Sequence, residues 1–177
     1  MRKILYVFGL LNDADIAWMA RSGLRRRIAP GDVVILEDDA IDFVAIVLEG
    51  ELLVSTRRAG GIARLGVGEI IGEMSLVESA PTSATIRASR PSLILAIDRT
   101  MLTEKLAADA GFAGRFYRAL AVFLADRLRA AMAAGDPRDP ADGTVPSGEL
   151  DLTVLDTISA AGERFQRMLA LLRAAPQ

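Results

Sequence analysis

Residues 65–88 read L-G-V-G-E-I-I-G-E-M-S-L-V-E-S-A-P-T-S-A-T-I-R-A and hold the side chains whose types and spacing could do chemistry. Gly66 and Gly68 let the backbone turn tightly where a Cβ would be strained. Ile70 and Ile71 lead into Gly72 and Glu73, and Met74, Ser75, Leu76 and Val77 supply about one helical turn. Pro81 interrupts, and Thr82 to Ile86 resume as a β-prone run. A short helix opened by a glycine presents backbone N–H groups at its start, and such a start can hold an anion. The plainer role of Glu73 is a carboxylate bonded to backbone amides at a helix start. Ser75, Ser83 and Thr85 also suit ordinary turns and strands.

Composition removes several alternatives. The 177 residues contain no cysteine and no histidine. Disulfides, thiolate metal sites and iron–sulfur clusters are therefore excluded, along with the usual metal ligand and general base. Glu73 and Asp32 are the carboxylates read beside glycine-rich turns, and without a nucleophile they suggest no reaction, so the chain reads as a non-enzyme. A net charge of −2 gives no footprint for nucleic acid. Arg25, Arg26 and Arg27 are too short a run to change that. The apolar run 4–11 imitates a signal peptide but has no cleavage motif, and no stretch reaches the length of a membrane span. The expectation is a cytoplasmic protein without cofactor or metal.

These residues must be positioned by the elements around them. Asn12 or Asp13 can cap a helix running through Ile16 and Met19 to about Gly23, with Trp18 as a packing anchor. From Leu24 to Ile97 short β-like runs alternate with turns, among them Ala29-Pro30-Gly31-Asp32 and Glu37-Asp38-Asp39-Ala40. The run 43–48 is continuously apolar, as in a strand buried on both faces. Arg57 to Gly61 read as a hairpin tip. Beyond Asp98 the period becomes helical: a short helix over 101–106, a break at Gly111, and a longer helix over about 112–132. In it Phe116, Leu120, Leu124 and Leu128 recur every four residues. Residues 135–148 contain three prolines, three aspartates and three glycines, a linker by composition. A last helix over 150–174 carries a narrow apolar seam of Leu155, Ile158, Gly162, Phe165, Leu169 and Leu172. The barrel, a second copy or a partner protein could bury it. Spacing alone supports a small β-barrel.

The central stretch resembles the phosphate-binding cassette of the cyclic-nucleotide-binding domain, found in catabolite-activator-type regulators and in regulatory subunits of cyclic-AMP-dependent kinases. Gly68, Ile71, Gly72, Glu73, Ser75, Leu76, Pro81, Ala84 and Thr85 fall on the family pattern, and Thr82 stands where the family places an arginine. The resemblance implies a mainly β fold with helices, a jelly-roll β-barrel flanked by an N-terminal helix and C-terminal helices. It divides the chain into a barrel domain with a dimerisation-type helix (1–132), a linker (133–149) and a C-terminal amphipathic helix (150–177).

It also implies that Gly72 and Glu73 hold the ribose phosphate ring, the Glu73 carboxylate accepting the ribose 2′-hydroxyl. Backbone N–H groups near Met74 and Ser75, with Ser83, would face the cyclic phosphate. Thr82 cannot replace a paired guanidinium. The loss of roughly 1.5–5 kcal/mol lowers affinity on the order of 10- to 1000-fold or more. Arg87 or Arg90 could substitute from nearby. Two readings stay open: a regulatory, signalling module whose ligand is weak, altered or lost, and a functional cyclic AMP or cyclic GMP sensor acting through its helices. Expected partners are a second copy, as a homodimer, or a protein held by the C-terminal helices. A single acidic C-terminal helix is no helix-turn-helix, so neither DNA nor membrane binding is expected.

Overall fold

Asn12 opens the first helix with a reciprocal cap: its side chain accepts from the Asp15 amide, and the Asp15 carboxylate accepts from the Asn12 amide, each at 2.9 Å. A computed structural model describes residues 8–78, 80–134 and 152–174. The elements are α1 (Asp13–Ser22), β1 (Leu24–Ile28), β2 (Val33–Ile35), β3 (Phe43–Glu49), β4 (Leu52–Thr56), β5 (Gly60–Leu65), β6 (Ile70–Ile71), α2 (Met74–Val77), β7 (Thr85–Ala88), β8 (Ser92–Asp98), α3 (Arg99–Ala108), α4 (Ala110–Ala134) and α5 (Leu152–Ala174).

The strands form two four-stranded antiparallel sheets, ordered β1-β8-β3-β6 and β2-β7-β4-β5. The jelly-roll expectation holds in strand content, but the two sheets do not close into a barrel. Successive side chains of β3 serve two cores. Ala45 and Val47 face the second sheet with Ile35, Leu52 and Ile86, whereas Val44, Ile46 and Leu48 face the helices. β8 does the same, with Ile94 and Ala96 on one side and Leu95 and Ile97 on the other. A strand buried on both faces must be apolar throughout, and this is why the run 43–48 carries no alternation.

Three expectations about the helices change. The break after α3 lies at Asp109, whose extended backbone ends that helix, and Gly111 sits inside α4. The Asp109 carboxylate accepts from the Phe112 amide at 2.9 Å and from Lys105 Nζ at 2.8 Å, so it caps the start of α4. Second, the four-residue repeat on α4 does not stay on one face. Phe116 and Leu120 are buried, but Leu128 is 62% exposed. Each four-residue step rotates about 40° on a helix of about 3.6 residues per turn, which turns the stripe out of the core.

Third, the buried face of α5 is Ala161, Phe165, Met168 and Leu172, with Gly162 and Leu169 only partly covered. It packs in the same core as Phe8, Leu11, Ile16 and Phe112, with the Phe8 and Phe165 rings edge-on at 5.2 Å. Arg164 donates to the Gly9 carbonyl at 3.0 Å, and Arg167 pairs with Asp13. The side chains of Leu155 and Ile158, and the linker residues 135–149, lie outside the described residues. Arg115 joins α4 to α1 through both oxygens of Asp15, at 2.6 and 2.8 Å. Burial raises the Asp15 carboxyl, but the bonds from Arg115 and the Asn12 amide outweigh it and hold the group below its ordinary value.

Candidate functional site

A cavity of about 650 Å³ opens between the second sheet and the loop that carries α2, and Arg127 of α4 reaches its wall. Ile35, Val54, Ile71 and Ile86 give it an apolar floor, and Gly72 to Ser75, Thr82 and Ser83 form its rim. The volume lies in the range of sites that enclose small ligands.

Gly72 makes this geometry possible. Its φ is +78°, and a Cβ there would sit 2.7 Å from the Phe43 carbonyl oxygen and 2.8 Å from Ile41 Cδ1. The chain therefore turns hard against β3 and delivers Glu73 to the interior at 3% exposure. Ser75 points back, donating from its hydroxyl to the Gly72 carbonyl at 2.6 Å. Met74 is 48% exposed, and the Ser83 hydroxyl lies 3.9 Å from its sulfur.

Glu73 is not bonded as a simple helix cap. Its Oε1 accepts from Arg127 Nη1 at 2.7 Å, across 54 residues of sequence. The guanidinium is pinned above the Phe123 ring, 4.6 Å from its centroid. Burial pushes the Glu73 carboxyl above its ordinary value; the Arg127 charge and a bond from its own amide pull the other way, and Glu69 adds a small push upward. Glu69 is also buried at 3% exposure, lines the cavity, and accepts from the Gly66 amide at 2.6 Å.

Thr82 lines the cavity, but its hydroxyl faces the chain. It donates to the Leu36 carbonyl and accepts from the Asp39 amide at 3.1 Å, while the backbones of residues 82 and 38–39 exchange bonds of 2.8 and 2.9 Å. Arg87 donates to the Gly31 carbonyl and Arg90 to the Gly50 carbonyl at 3.5 Å, and neither lines the cavity. Among the described residues, the cations that do are Arg64 and Arg127. Asp32 is not at the cavity either; its carboxylate accepts from the Ala29 amide at 3.2 Å in a turn.

The residues singled out from 72 to 83 thus converge on one rim, and Arg127 and Glu69 join them unannounced. Arg127 carries no local signal, because only folding brings α4 over the loop. Glu69 could have been noticed, since it follows Gly68 directly.

Residues 25–109 match the family model described as cyclic nucleotide-binding domain. A cAMP-dependent protein kinase regulatory subunit from Blastocladiella emersonii is 26% identical over 118 residues, 64% of this chain and 29% of that protein. A cGMP-dependent protein kinase from Eimeria tenella is 29% identical over 99 residues, 56% of this chain and 10% of that protein. The chain thus spans less than a third of either relative. The crystal structure of a cyclic nucleotide-binding domain from Methylobacillus flagellatus superposes with a TM-score of 0.68 at 22% identity, covering 80% of this chain and 85% of that one. At that identity the likeness speaks to the fold.

Proposed function

We propose, for a chain that belongs to the cyclic nucleotide-binding domain family over residues 25–109, that it is a non-enzymatic regulatory module with weakened phosphate recognition. The observation that carries this reading is the contrast at the rim. The cavity is open and Glu73 stands at its wall, yet the Thr82 hydroxyl stitches the loop to Leu36 and Asp39 and offers the ligand no charge. Gly72 and Glu73 receive the ribose of a cyclic purine nucleotide. The Met74 and Ser75 amides and Ser83 face its phosphate without a cassette guanidinium. The names of the kinase relatives support cyclic AMP or cyclic GMP as the ligand class.

Calorimetry with both nucleotides tests it. The wild-type chain binds more weakly than micromolar, and Thr82→Arg binds at least tenfold tighter, as expected for a charge-assisted contact of roughly 1.5–3 kcal/mol. Submicromolar binding by the wild type, or no gain in the variant, overturns it.

The second reading, a fully competent sensor, draws support from Arg127 at the cavity wall. In either case the output runs through α4. Its outward face carries Tyr117, Ala121, Leu128 and Met132, with Leu128 and Met132 62% and 69% exposed, and Leu124 is partly buried against the core at its edge. Such a seam suits a second copy of the chain.

A further inference from the structure

The geometry points to Arg127 as the residue that meets the ligand's anion, supplied by helix α4 in place of the cation that residue 82 does not provide. The inference rests on reading the cavity as a nucleotide site. Two cations line that cavity among the described residues, and they differ in kind. Arg64 has a side chain 71% exposed and is held by Glu51 at 2.9 Å, so water screens it. Arg127 has a side chain only 29% exposed. Its guanidinium is fixed over Phe123 and pairs with a carboxylate that is itself buried, so it is pre-organised where screening is weak.

The contact to Glu73 engages Nη1 with one carboxylate oxygen. A guanidinium carries five N–H donors in a planar fork, so one contact does not exhaust it. One residue can then hold Glu73 in place for a ribose hydroxyl and donate to an anionic phosphate oxygen of the same nucleotide. Sharing the charge with Glu73 leaves the phosphate less than a whole cation, in keeping with weak rather than absent binding. It also ties occupancy of the cavity to α4, the helix that bears the outward apolar seam.

Titration calorimetry of the full chain with cyclic AMP and with adenosine, which has the ribose but no phosphate, tests the assignment. Arg127→Gln should weaken cyclic AMP by roughly 10- to 100-fold, at least ten times more than it weakens adenosine. Arg127→Lys, which keeps a charge beside Glu73, should fall between. Adding Thr82→Arg to Arg127→Gln should restore cyclic AMP binding, which also shows that the variant folds. Equal losses for the two ligands would make Arg127 a support for Glu73 alone and overturn the assignment. Tighter cyclic AMP binding by Arg127→Gln would make it a plug, with the same result. A wild-type chain that takes neither ligand sinks the nucleotide reading of the cavity and this inference with it.

Discussion

Two buried carboxylates respond to burial with opposite outcomes. Glu73 and Asp15 are each 3% exposed and each paired with an arginine on α4. Asp15 receives two bonds from Arg115 and one from the Asn12 amide, and its proton affinity falls; Glu73 receives one from Arg127 and one from its own amide, and desolvation prevails. The linkage signs follow. A carboxyl raised in the folded state binds its proton more readily there, so its favourable contribution is complete below the ordinary value of 4.5 and is lost as pH rises through the folded value. Asp15 contributes stability above 3.8 that is lost as pH falls through its lowered folded value. Thermal melts stepped upward from pH 4.5 should therefore show a loss of stability in the wild type that is smaller in Glu73→Gln. An equal loss in both would mean that Glu73 is not the group responsible.

Among the elements, α4 has the most varied duties. Phe116, Ala119, Leu120 and Phe123 pack it into the helical core, Arg115 ties it to α1, and Arg127 reaches the cavity. Its outer side carries an apolar stripe of Tyr117, Ala121, Leu128 and Met132 beside the exposed Arg118 and Arg129. A single charge there, Leu128→Glu, should leave the fold intact, because the side chain is already 62% exposed. It should halve the solution mass if two copies meet along this face, as light scattering would show. An unchanged dimer mass would move the contact elsewhere. The repeat of apolar residues along this helix was plain in the sequence. Its division between core, cavity and outer face was not, because a four-residue repeat drifts around a helix of about 3.6 residues per turn.

At the scale of the molecule, α5 closes the core over α1. Phe165, Met168 and Leu172 are buried there against residues that lie more than 140 positions earlier, Phe8 and Leu11 among them. Burying each such side chain contributes roughly 1.5–3 kcal/mol. Deleting residues 150–177 should lower the melting temperature by roughly 5 °C or more and expose Phe8 to a hydrophobic dye. A truncated chain that melts with the wild type would show that α5 belongs to another surface.

The sequence by itself determined what depends on neighbours along the chain: the tight turn at Gly68, whose φ is +86°, the Asn12 cap, the doubly buried strand, and the order of residues around the rim. It also marked the absence of a cation at position 82. Tertiary structure alone decided how the Thr82 hydroxyl is used, that Arg127 meets Glu73 across 54 residues, and which face of α5 is covered. Local preferences act over a few bonds, whereas a buried charge finds its partner only when packing brings distant segments together and removes the water between them.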